Sequence, residues 1–159
     1  MAKTREQQID EIIDREAIRD LAVRYCHHIW RDEVDAVGAL FTADGVFINN
    51  PPPGITLAAA QTNGRQAIVE MLAAGLKGMK PRPYIHNHAI ELGGKDRATG
   101  TVYVELRSPA VNWEWIGTGY YDDEYEKVGG EWKFKSRKIN LVSFTPPAPL
   151  PKQLTLKRE

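Results

Sequence analysis

The stretch RPYIHNHAIELGGKDRATGTVYVELRSPAVNWEWIGTGYYDDEYEKVGGEWKFKSRKINLVSF, residues 82–144, decides the fold. Apolar and polar side chains alternate along it with a period of two, and no helical period returns. Four strands are predicted, Tyr84 to Leu92, Ala98 to Arg107, Asn112 to Lys127 and Glu131 to Phe144. Turns at Gly93-Gly94, Ser108-Pro109 and Gly129-Gly130 join them into an antiparallel meander. In the last strand Trp132, Phe134 and Ser136 share one parity while Ile139 and Leu141 take the other, which requires a bulge between them. Gly117 and Gly119 mark bending in the neighbouring strand. A sheet bent this strongly leaves a cavity on its concave face when helices pack against it.

Upstream of Arg82 the period is that of a helix. Between Thr4 and Asp32, Ile18, Leu21, Ala22, Tyr25 and Ile29 fall on one stripe, whereas Ile9, Ile12 and Ile13 face elsewhere and are expected to pack on something other than the core. A second helix is predicted from Val34 to Phe41 and a brief strand from Val46 to Asn49. Pro51-Pro52-Pro53-Gly54 opens a loop, and Asn63-Gly64 caps a third helix that ends at Gly78. The expected architecture is α+β, a cone-shaped curved antiparallel sheet packed with three N-terminal helices around a central cavity. One domain over residues 1–146 is expected, followed by a proline-rich extended arm at 147–159.

The balance of 21 acidic and 21 basic side chains leaves no bulk field to attract nucleic acid or anionic lipid. No segment reads as a membrane span or a signal peptide, so a cytoplasmic protein is expected. Cys26 is the only cysteine, which excludes an internal disulfide and thiolate metal clusters. Phosphate loops, dinucleotide glycine fingerprints and metal triads are not visible, and no cofactor or metal is expected.

Local motifs sharpen the fold reading. Arg15-Glu16-Ala17-Ile18-Arg19-Asp20-Leu21 with Tyr25, then Asp35-Ala36-Val37 and Leu40-Phe41-Thr42-Ala43-Asp44-Gly45, resemble the SnoaL-like branch of the nuclear transport factor 2-like superfamily. The hairpin from Asp123 to Phe134, with Phe144-Thr145-Pro146, resembles the same strands in dehydratase and dehydrochlorinase members of that branch. The resemblance covers nearly the whole chain and implies fold more strongly than chemistry, because the superfamily holds lyases, isomerases, cyclases and binders. In the lyase members an Asp on the first helix and a His on the first meander strand form a base dyad. By resemblance those positions fall on Trp30 and Pro83, neither of which can do that chemistry. Tyr25 and Asn49 fall where family members carry pocket tyrosines, and Tyr121, Arg137 and Asn140 fall where pocket side chains lie.

Other candidates come from spacing. His86 and His88 are two apart on a strand and should share a face. If that face lines the cavity they are a base and its partner, or two metal ligands lacking an evident third; if not, they are ordinary strand histidines. Asn87 is the alternative inward residue. A bulge beside Pro81 and Pro83 would bring His86 inward. His27 is expected in solvent and His28 at the stripe's edge. Trp113 and Trp115 share a strand face and, with Trp30, are candidates to wall an aromatic pocket. Arg137 is either a pocket cation or part of a surface row with Lys133 and Lys135, and only the predicted bulge turns it inward.

These residues point first to a cofactor-independent lyase, removing water or a small carbonyl from a small hydrophobic, hydroxylated, aromatic substrate. Catalysis would fall to Tyr25, His86, His88 and Arg137, and binding to Trp30, Asn49, Asn87, Trp113, Trp115, Tyr121 and Asn140. An isomerase or polyketide cyclase would use the same proton transfers, and a binding or dimerisation module would use none. The family resemblance and the Ile9-Ile12-Ile13 face imply a homo-oligomer, trimer or dimer.

Overall fold

The computed structural model describes residues 3–57, 60–145 and 154–156. Helix α1 (Arg5–Trp30) begins at a capping box, in which the Thr4 hydroxyl accepts from the Gln7 backbone N–H and the Gln7 side chain accepts from that of Thr4. Its inner stripe of Ile18, Leu21, Ala22, Tyr25 and Ile29 is buried as the spacing requires, whereas Ile9, Ile12 and Ile13 stay 46%, 66% and 59% exposed. Helix α2 (Val34–Ala39) stops two residues before the expected Phe41, because Phe41 already pairs with Phe134 as the first residue of β1 (Phe41–Asn50). Two short strands that the sequence reading did not foresee follow, β2 (Ile55–Leu57) and β3 (Gln61–Asn63). Helix α3 (Arg65–Gly78) then starts at Gly64.

The meander is present as β4 (Arg82–Leu92), β5 (Arg97–Ser108), β6 (Glu114–Val128) and β7 (Glu131–Phe144). One sheet runs in the order β3-β1-β7-β6-β5-β4, antiparallel except where β1 lies parallel to β7. The sheet curves without closing. The arm expected at 147–159 lies outside the described residues except for β8 (Leu154–Leu156), which pairs antiparallel with β2. Among the described residues no helix is long and apolar enough to cross a membrane.

Bulges produce the curvature and decide which side chains face inward. On β4, Ile85 pairs with Val104 and His88 with Val102, so His86 and Asn87 together oppose Tyr103 alone. On β7, Phe134 pairs with Tyr125 and Ser136 with Glu124, leaving Lys135 as the extra residue. Ile116 on β6 and Val142 on β7 are extra in the same sense. At the last of these the strands approach so closely that a Cβ on Gly119 would overlap the carbonyl oxygen of Asn140.

Two arginines tie α1 to β4. Arg15 donates to the carbonyl of Ile90. Arg82, buried, donates to the carbonyl of Ile29 at 2.6 Å and to both carboxylate oxygens of Asp32 at 2.9 and 3.1 Å. It thereby adds a second, charged donor to a carbonyl that otherwise receives only the backbone N–H of Asp32 at 3.3 Å.

Candidate active site

The concave side of the sheet, covered by α1 and α3, holds a cavity of about 130 Å³. A cavity of roughly this size holds a single six-membered ring. Its walls are apolar side chains such as Ile29, Phe47, Leu72, Leu76, Leu106 and Ile139, and the polar groups reaching it are Tyr25, Tyr121 and Asn49. All three are among the residues singled out by resemblance.

Directly behind the two tyrosines lies Arg137, fully buried. The Lys135 bulge turns it inward, so the surface-row alternative fails. Its guanidinium carbon sits 4.2 Å from the ring centre of Tyr25 and 4.1 Å from those of Tyr121 and Phe134. Arg137 Nε and Nη2 donate to the two carboxylate oxygens of Asp123 at 2.9 and 2.8 Å, a bidentate pair with no solvent exposure on either side chain. Arg137 Nη1 is the one side-chain nitrogen or oxygen among the described residues that is buried with no hydrogen-bond partner. The aromatic faces take up part of that deficit.

Asp123 also accepts from the hydroxyl of Tyr125 at 2.9 Å, and Tyr125 in turn lies 3.1 Å from His88 Nε2. The sequence reading missed both Asp123 and Tyr125. A signal for them existed: Tyr121, Asp123 and Tyr125 share one parity on β6, opposite the inward-turned Arg137 of β7.

Burial sets the protonation of this centre. It pushes the Tyr25 hydroxyl well above its ordinary pKa, with the nearby charge of Arg137 offsetting only part of the rise, and Tyr121 rises for the same reason. Both phenols stay neutral. Burial alone would lower the Arg137 guanidinium, but the Asp123 carboxylate outweighs it and holds the cation. Burial likewise pushes Cys26 up to about 11, which leaves it a thiol with little nucleophilic character.

Several expected site residues lie elsewhere. His86 and Asn87 occupy the β4 bulge and are exposed; the bulge separates the faces of His86 and His88 and turns His88, not His86, inward. His88 reaches Tyr125 rather than the cavity. Trp30 turns away from the cavity to stack on Trp113 at 5.3 Å and meet Tyr84 edge-on at 5.1 Å. Its Nε1–H donates to the carbonyl of Pro83 at 2.9 Å, so the two positions where family members carry the dyad do face each other, filled by a structural contact. Trp113 precedes β6 with φ at 65° and is 45% exposed, and Trp115 pairs with Arg107 at the exposed start of β6, so the two do not form a wall of the cavity. Asn140 points to the outer face of the sheet, where it donates to Asp122 and accepts from Asn50, both at 2.9 Å. His27 is exposed, and His28 Nδ1 lies 2.7 Å from Glu33 Oε2. Among the described residues no three His, Cys, Asp or Glu side chains converge as a metal site.

Comparison with known proteins agrees with this architecture. Residues 10–138 match the family model of the SnoaL-like domain. A hexachlorocyclohexane dehydrochlorinase from Novosphingobium barchaimii is similar in structure at 18% identity, with a TM-score of 0.73 over 90% of this chain and 96% of that one. A candidate scytalone dehydratase from Novosphingobium aromaticivorans is similar at 19% identity, with a TM-score of 0.70 over 90% and 99%. A protein of unknown function from Mycobacterium tuberculosis is similar at 25% identity, with a TM-score of 0.71 over 82% and 73%. Among proteins with curated descriptions none matches the chain. With the match spanning most of its length, the chain belongs to the SnoaL-like domain family.

Proposed function

We propose that the chain is a cofactor-independent lyase that acts on a small, uncharged, largely apolar and ring-sized molecule carrying oxygen substituents. The observation that carries this reading is the pair of neutral phenols, Tyr25 and Tyr121, which line an apolar-walled cavity while resting on a buried guanidinium. Elimination of water from a β-hydroxy ketone illustrates the chemistry. Tyr121 and Asn49 hydrogen-bond the substrate oxygen on which negative charge develops. In one concerted step the Tyr25 oxygen takes the proton from the carbon next to the carbonyl while its own O–H proton passes to the departing hydroxyl; the C–H electron pair forms the C=C bond, the C–O bond breaks with its pair, water leaves and Tyr25 is again a neutral phenol. Arg137 stabilises the partial negative charge that develops on the Tyr25 oxygen. A retro-aldol cleavage or an isomerisation would use the same donors.

A second reading, a non-catalytic binder, is favoured by one observation. The Asp and His positions of lyase relatives hold Trp30 and Pro83 in mutual contact.

The test is turnover of a panel of monocyclic β-hydroxy ketones, followed by the absorbance of the conjugated product. Turnover that falls at least 100-fold in Tyr25→Phe supports the lyase. Calorimetric binding of the same compounds without turnover supports the binder. Neither binding nor turnover overturns both readings.

A further inference from the structure

We propose that His88 and Tyr125 are positioning residues for the cavity, acting through Asp123 to fix the Arg137 guanidinium behind Tyr25 and Tyr121. The inference rests on the reading of that cavity as the functional site. Tyr125 has one O–H, and it donates to Asp123 Oδ2 at 2.9 Å. Its oxygen is therefore the acceptor toward His88, so His88 Nε2, 3.1 Å away, carries the hydrogen. Asp123 Oδ2 thus receives Tyr125 and Arg137 Nη2 together, while Oδ1 receives Arg137 Nε. The chain His88, Tyr125, Asp123, Arg137 runs from a half-buried imidazole on β4, across β6, to the buried cation on β7.

Three features of the backbone serve this chain. The β4 bulge at His86 and Asn87 turns His88 inward. The β7 bulge at Lys135 turns Arg137 inward. Between them on β5 stands Gly100, where a Cβ would come within 3.1 Å of both His88 Nε2 and Tyr125 Cε2 and within 2.9 Å of the Ala89 carbonyl. A side chain at this position would force the Ala89 carbonyl, and with it His88 or Tyr125, to shift. Both ends of the chain and its middle are therefore shaped for one arrangement. Its consequence for the site is orientational: a carboxylate held by two partners allows the guanidinium less freedom against the tyrosine rings than a carboxylate held by one.

The experiment is nitrogen-15 NMR on the full chain with phenol as the binding probe. In the wild type, neutral His88 is expected to carry its proton on Nε2, and the Arg137 Nε–H to exchange slowly with water. Tyr125→Phe and His88→Ala are expected to speed that exchange at least tenfold and to weaken phenol binding about tenfold. His88→Gln, which keeps a side-chain N–H donor, is expected to stay within threefold of wild type. A neutral His88 protonated on Nδ1 would overturn the proposal without any variant. Folded Tyr125→Phe and His88→Ala proteins whose Arg137 exchange stays within twofold of wild type would overturn it as well. A wild type that binds no phenol contradicts the reading of the cavity, while its tautomer and Arg137 exchange still decide the positioning role.

Discussion

Two walls of the fold are built on opposite principles. Where α1 meets β4, the contact is a tryptophan N–H to the Pro83 carbonyl, backed by the Arg82 clamp on Ile29 and Asp32. These polar groups are occupied in holding the helix to the strand. Where β6 meets β7, Asp123 and Arg137 place a full ion pair out of water, with one guanidinium nitrogen left without a partner behind two phenols. A buried pair of this kind gives little net stability, because desolvation offsets most of the Coulomb attraction. The first wall is thus spent on rigidity, and the second carries groups whose arrangement stability alone does not explain. On the proposed reading, the chemistry belongs where Tyr25 and Tyr121 rest on Arg137.

The contrast can be broken most severely at Asp123. Asp123→Asn leaves Arg137 buried and uncompensated, and urea unfolding is expected to show a loss of about 3–5 kcal/mol. The double variant Asp123→Leu with Arg137→Met should recover most of that loss while ligand binding stays abolished. A double variant as unstable as the single one would show that the pair matters for folding and not for function. Next in size, Tyr25→Phe is expected to keep stability within about 1 kcal/mol of wild type yet remove at least 99% of any turnover found for the wild type. On the other wall the expectation reverses. Trp30→Phe, which deletes the N–H to Pro83, should cost about 1 kcal/mol in the same unfolding assay and leave ligand affinity unchanged.

The smallest expected effect is a pH dependence. Burial is the main cause holding His88 down to about 4; the facing charges of Asp123, Arg137 and Arg19 partly offset one another, with the first raising it and the other two lowering it. The folded state therefore prefers neutral His88, and the unfolded chain binds its proton first as the pH falls. Stability from this group is fully present above about pH 6.5 and declines as the pH drops toward 4. Because His88 is only half buried, the change should be on the order of 1 kcal/mol. Comparing urea midpoints of wild type and His88→Gln at pH 7 and pH 4.5 measures it.

The sequence carried the meander, the three helices and the inner stripe of α1, because those depend on periodicity and on glycine and proline placement. Family resemblance singled out Tyr25, Tyr121, Asn49 and Arg137, and the parity break in the last strand supplied the bulge needed to turn Arg137 inward. The histidines went wrong for a physical reason. Parity arguments assume one residue per partner, and two residues facing Tyr103 alone at His86 and Asn87 reverse every face that follows. Trp113 misled because its backbone leaves the strand, with Asn112 and Trp113 both at positive φ, which no alternation pattern records. Asp123 was overlooked because an acidic residue on a strand ordinarily faces water, and its burial becomes legible only once Arg137 is known to turn inward opposite it.

The most direct test of the central claim, that the cavity works through its two phenols, is the affinity of phenol for wild type and for Tyr25→Phe/Tyr121→Phe measured by titration calorimetry. The expected result is binding by the wild type and a loss of at least 30-fold in the double variant, with unfolding midpoints preserved. Equal affinities in the two folded proteins would contradict the account.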